Sequence, residues 1–150
     1  MNKNKYKELD SINWLSFNEK GYILPNDKLS LSILEKKAAV YIYQNILNKR
    51  EFYIGSTGNI AERIRQHRCS ANKGKICTKF YICVRKHGWS NFRLGNLEYI
   101  NIDELKMDKR EIIRAKFDRE QYYFDMLNPT LNILKKAGSS LGYKHKKKCE

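Results

Sequence analysis

Two short blocks near the middle of the chain, Val40-Tyr41-Ile42-Tyr43 and Phe52-Tyr53-Ile54, are β-branched and aromatic throughout. The polar stretch from Asn45 to Glu51 separates them, so the pattern predicts a β-hairpin over 38–55. Gly55-Ser56-Thr57-Gly58-Asn59 closes the hairpin and offers a helix N-cap. The period then changes. Ile60, Arg63, Ile64 and His67 recur at helical spacing and predict a helix over 60–68. A second helix is expected over 78–87, with Phe80, Tyr81 and Val84 inward and Gly88 just past its end. Residues 92–100 read as a third strand whose alternation changes phase at Gly95-Asn96, the mark of a bulge. From Asp103 a helical pattern runs to Leu127 and stops at Asn128-Pro129. Its later stripe is Ile113, Phe117, Glu120, Phe124 and Leu127. Residues 1–37 read as a polar arm, with a turn at Pro25-Asn26-Asp27 and weak helical character over 30–37. Residues 135–150 read as a basic tail. The elements predict an α+β fold: a small, mainly antiparallel three-stranded sheet flanked by helices.

Charge narrows the partners. The 150 residues hold 30 Lys+Arg against 16 Asp+Glu, a formal net charge of +14, which points to a polyanion and first to nucleic acid. An anionic membrane surface is the rival, weakened because no apolar run approaches about 18 residues. The four cysteines, at 69, 77, 83 and 149, form no CxxC pair, which argues against a zinc ribbon or finger. Cys83 and His87 are spaced i,i+4; a shared metal is one reading, and a helical core face is the preferred one. The N-terminal residues show no apolar core and no Arg-rich presequence, so neither secretion nor import is signalled.

Two charges fall on apolar helix stripes, Arg63 and Glu120. Unpaired burial of a charge is expensive. A mutual salt bridge, or snorkelling of Arg63 to solvent, would account for them. So would a site that cuts phosphodiesters. That chemistry needs a cation for the pentacovalent transition state, and guanidinium matches phosphate oxygens two at a time. It also needs a way to deprotonate water, which Tyr41, Tyr53 or His67 can supply. A hard divalent ion is usual, and Glu120 offers an oxygen ligand of the kind Mg²⁺ takes. Tyr41 and Tyr53 also suit plain strand packing, Asn132 suits a cap, and His67 beside Arg65 and Arg68 suits a phosphate-binding face. Arg65, Arg68, Lys144, Lys146, Lys147 and Lys148 are candidate backbone contacts.

Taken in order, Ala39-Val40-Tyr41, Tyr53-Ile54-Gly55-Ser56, Glu62-Arg63 and His67 resemble the signature of the GIY-YIG nuclease family. Lys86-His87-Gly88 with Asn91-Phe92, then Arg119-Glu120-Gln121-Tyr122-Tyr123, then Leu127-Asn128-Pro129 with Leu131-Asn132-Ile133 resemble its later motifs. The resemblance implies a nuclease domain over 38–134, with Arg63 on the scissile phosphate and Glu120 binding Mg²⁺ or Mn²⁺. It further implies Tyr41 as general base, assisted by Tyr53 and His67 and supported by Asn132. DNA is the implied substrate, cut by a monomer as the working expectation. The flanks resemble intron-encoded homing endonucleases of fungal mitochondria, which implies an organellar setting. Alanine stands at 39 where the family has glycine; a β-strand tolerates the extra methyl unless φ is positive. A non-catalytic nucleic-acid binder such as an RNA-splicing helper, and a structure-specific repair or recombination nuclease, fit the same charge and domain.

Overall fold

A computed structural model describes residues 9, 11–25, 37–100 and 108–132. Its sheet has four strands in the order β1-β4-β2-β3, paired antiparallel throughout. They are β1 (Leu15–Ser16), β2 (Ala38–Asn45), β3 (Phe52–Thr57) and β4 (Phe92–Ile100). Helices α1 (Ile60–Lys73), α2 (Lys79–His87) and α3 (Lys109–Leu127) complete the fold, with a 3-10 turn at Trp89–Asn91. The α+β class is as the sequence predicts.

β2 is central, and every one of its residues is buried. A strand covered on both faces should read as a continuous apolar run rather than an alternating one, and Ala38-Ala39-Val40-Tyr41-Ile42-Tyr43 does. Its side chains divide between two layers. Ala39, Tyr41 and Tyr43 face Ile60 and Ile64 of α1 and Phe80, Tyr81 and Val84 of α2. Ala38, Val40 and Ile42 face Phe124 and Leu127 of α3. The sheet therefore separates α1 and α2 from α3, and β3 forms one outer edge.

The caps follow the local sequence. Asn59 accepts from the Glu62 amide at 3.2 Å, Thr78 from Tyr81 at 3.2 Å and Asp108 from Glu111 at 2.8 Å. Gly88, with φ of 88°, ends α2. The expected bulge lies in β4. Val40 pairs with Glu98 and Tyr41 with Asn96, leaving Leu97 as the extra residue.

Several expectations need correction. The sheet has a fourth strand, drawn from the segment read as a polar arm. Leu15 pairs with Leu94 and Ser16 with Arg93, and Leu15 and Phe17 are buried against the α1–α2 layer. Burying each such side chain is worth about 1.5–3 kcal/mol, and a two-residue strand gives no periodicity to find. Arg93 stacks on Trp14 at 3.9 Å, holding the same segment down. β3 runs through Thr57 rather than ending at Gly55, because Ala39, Val40 and Tyr41 continue to pair with Thr57, Ser56 and Gly55. α1 continues to Lys73 and stops at Gly74, whose φ is 71°. On α3 only the C-terminal end of the apolar stripe is buried, and Ile113 is 43% exposed. The start expected at Asp103, residues 30–36 of the weakly helical stretch and the tail with Lys144, Lys146, Lys147 and Lys148 lie outside the described residues.

Candidate active site at the β3 edge

Tyr41 and Tyr53 project from neighbouring strands onto the α1–α2 side, their ring centroids 6.3 Å apart. Gly55 stands opposite Tyr41 in the register. A Cβ at Gly55 would collide with the Tyr41 hydroxyl, so the absent side chain is what lets the ring lie across β3. Ala39 is fully buried in extended backbone; among the described residues only Asn128 is non-glycine with positive φ. The methyl at 39 is accommodated.

The helical stripe of α1 carries Arg63 and His67 to these rings. His67 is 1% exposed and bonded at both nitrogens: Nε2 to the Tyr41 hydroxyl at 2.7 Å and Nδ1 to the Tyr81 hydroxyl at 2.8 Å. It therefore lines no phosphate-binding face, despite its arginine neighbours in sequence. Burial, then the Arg63 charge, push its pKa well below the ordinary histidine value. The imidazole is neutral at physiological pH, with one nitrogen donating and the other accepting. Tyr41 is raised well above the usual phenol value, chiefly by burial and next by Tyr53, with Arg63 opposing. Both groups rest in their neutral forms.

Arg63 donates to Gln66 at 3.0 Å and lies against the hydroxyls of Tyr41 and Tyr53. Burial works against its charge, but the phenols around it outweigh that, and it stays cationic. Tyr53 is raised by burial first; Arg63 lowers it, while Tyr81 and the Glu120 carboxylate raise it. One phenol thus senses both the cation from α1 and the anion from α3. The two helices cover opposite faces of the sheet, and Tyr53 on the edge strand lies within reach of both charges. Tyr41, Tyr53, Arg63 and His67 thus lie together on the α1–α2 side of the sheet, and Glu120 is linked to them through its charge on Tyr53.

Glu120 is held there through its neighbours. Arg119 donates to both Glu98 oxygens, at 2.7 and 2.6 Å, and stacks over Tyr122 at 4.6 Å. Tyr123 donates to Glu98 at 3.1 Å. These contacts fix α3 to β4 beside its bulge, with Glu120 next after Arg119 along the helix.

Asn132 acts at a different place from the phenols. Its Oδ1 accepts from the Ile54 amide at 2.9 Å and its Nδ2 donates to the Ile54 carbonyl at 2.7 Å. The side chain satisfies outward-facing backbone of the edge strand, fixing β3 between the two tyrosine-bearing positions. Arg65 is tied to Glu62 on the exposed face of α1, and Arg68 lies over the Tyr22 ring at 4.1 Å. Neither joins the Tyr41–Arg63 group. Tyr81 is the site residue that sequence reasoning missed; it is visible there only as one more inward aromatic on α2. Tyr43, packed edge-on to His67, has a hydroxyl without a hydrogen-bond partner among the described residues.

Residues 37–132 match the GIY-YIG catalytic domain, and the chain belongs to the GIY-YIG family. It is similar to a protein of Neurospora crassa described as a probable intron-encoded endonuclease, bI1, at 33% identity over 104 residues. That stretch is 67% of this chain and 22% of the relative, so this chain corresponds to a small part of the relative's length. Among solved structures it is similar to a mutant of the catalytic domain of the intron endonuclease I-TevI. The TM-score is 0.52 at 25% identity, over 66% of this chain and 95% of that one.

Proposed function

We propose that this protein is a metal-dependent endonuclease that hydrolyses DNA phosphodiesters, acting as a monomeric intron homing enzyme. The carrying observation is the Tyr41–Tyr53–His67 cluster beside Arg63, set in a chain that matches the GIY-YIG catalytic domain over residues 37–132. The intron-encoded relatives support the homing role, and the fungal one supports a mitochondrial setting. The formal charge of +14 suits a DNA backbone, and among the described residues no helix is long and apolar enough to cross a membrane.

The phosphate enters beside Arg63, whose guanidinium neutralises charge developing on the non-bridging oxygens. Water attacks phosphorus as the P–O bond to the departing strand end breaks. The water proton passes to the Tyr41 hydroxyl as that hydroxyl gives its own proton to His67 Nε2. The departing alkoxide takes a proton from solvent, and the imidazolium then returns its proton to solvent by the same path. This needs the tautomer in which Nδ1–H donates to Tyr81. Burial first, and the Arg63 charge second, make this imidazole a weak base. The bound phosphate offsets the Arg63 charge and strengthens that base when it is needed. Phenolate never accumulates, which suits a phenol whose ionisation burial opposes.

The donor set fits a hard divalent ion. Glu120 is a half-buried carboxylate whose charge reaches Tyr53, and Mg²⁺ binds through one or two carboxylates while keeping waters and substrate oxygens. Glu120 would hold Mg²⁺ or Mn²⁺, which supplies Lewis-acid stabilisation of the phosphate.

Plasmid nicking with Mg²⁺ and with chelator tests the proposal. Arg63→Ala and Glu120→Gln are expected to abolish nicks while circular dichroism and much of the DNA binding persist. Full activity in either variant, or chelator-insensitive binding with no nicks in the parent protein, sinks it.

A further inference from the structure

Glu51, Cys83 and His87 meet where the β2–β3 turn passes the end of α2. One ligand atom from each lies within 4.8 Å of the other two. None of the three belongs to the Tyr41–Arg63–Glu120 site. Cys83 and His87 are one helical turn apart on the same face of α2, and Glu51 is delivered by the residue preceding β3. The three line a cleft of about 380 Å³ that also takes in Thr130 and Leu131.

The surroundings orient the ligand atoms. Asn48 donates to Glu51 Oε1 at 3.0 Å, leaving Oε2 toward Cys83, whose thiol donates to it at 3.2 Å. Fully buried Asn45 directs its Nδ2 at the Cys83 sulfur, 3.9 Å away. Outer hydrogen bonds of this kind fix the direction of metal ligands and stabilise a thiolate.

We propose that Glu51, Cys83 and His87 form a binding site for a borderline divalent cation of the Zn²⁺ type, separate from the catalytic centre. The set is one sulfur, one nitrogen and one oxygen, which suits Zn²⁺ and not Mg²⁺. Three protein ligands leave a fourth position toward the open cleft. Binding replaces the thiol proton with the metal and releases that proton to solvent. The charge count closes: one thiolate and one carboxylate against a dication give a neutral site. Lys79 and Lys86 on the same cleft therefore face no net positive charge once it is filled. Zn²⁺ here would clip the β2–β3 turn to α2.

Co²⁺ titration of the metal-stripped full chain is the test, because a sulfur-to-cobalt charge-transfer band reports thiolate ligation directly. One Co²⁺ per chain with that band, displaced by Zn²⁺, is expected. Cys83→Ser should abolish the band, and Cys69→Ser should leave it intact. His87→Gln, at a less buried position, should weaken Zn²⁺ binding by roughly tenfold or more in a chelator competition. Absence of the band, its survival in Cys83→Ser, or unchanged Zn²⁺ affinity in His87→Gln overturns the site. Failure of nicking in the same protein would bear on the nuclease proposal alone.

Discussion

The Tyr41 hydroxyl and His67 Nε2 are 2.7 Å apart in a fully buried contact, and the opposite imidazole nitrogen is closed by Tyr81 at 2.8 Å. The chain of three groups has one end beside Arg63 and the other on α2. Tyr41→Phe removes its first link without changing ring packing. It should lower the nicking rate by about 10²–10⁴-fold, the usual worth of a positioned proton acceptor. It should also reduce stability by about 1–3 kcal/mol, because His67 Nε2 is left buried and unpaired. Single-turnover nicking and denaturant unfolding measure the two effects separately. An unaltered rate would remove Tyr41 from the proton path.

Gly55→Ala should do similar damage by a different route. The added methyl meets the Tyr41 ring, a rigid neighbour that cannot swing aside as a flexible chain could. Overpacking of this kind costs about 1–3 kcal/mol. The ring must shift, so both the His67 contact and activity should fall. A crystal structure of the variant with Tyr41 unmoved would refute this account.

Asn132→Ala exposes the edge of β3. Both hydrogen bonds to Ile54 are lost, and the expected destabilisation is about 1–3 kcal/mol. Because the side chain touches backbone rather than the phenols, the variant should retain a measurable nicking rate at low temperature. Amide exchange at Ile54 should speed up selectively. Loss of activity at full stability would instead place Asn132 in the chemistry.

Acid sensitivity follows from the imidazole. His67 has a folded pKa below its unfolded value near 6.5, so between those two values the unfolded chain binds the extra proton. Stability contributed by this site is therefore complete above about pH 6.5 and is lost as pH falls below it. The slope is at most about 1.4 kcal/mol per pH unit. His67→Gln should be less stable at neutral pH and should lack this part of the slope. Urea midpoints measured between about pH 5 and pH 7.5 provide the comparison.

Much of the fold was legible because its signals are local. Asn59 caps the helix it precedes, Gly88 ends α2, and the phase change in β4 marks a real bulge at Leu97. Periodicity also found Arg63, His67 and Glu120, since a charged residue on an apolar stripe stands out in any helix. Those signals say which face a residue shares with its neighbours along the chain. They do not say what faces it from elsewhere.

The amino-acid order alone determined the hairpin, the helices and β4, the Asn59 cap, and which tyrosines, arginine and carboxylate were available, because these depend on spacings within a turn or two. Only the tertiary structure decided that His67 is sealed between Tyr41 and Tyr81, that Asn132 guards a strand edge, and that Leu15 adds a strand. It alone brought Cys83 to Glu51. Each of these depends on strand register and on which face a distant helix covers, and a hydrogen bond between residues far apart in sequence leaves no periodic trace in either segment.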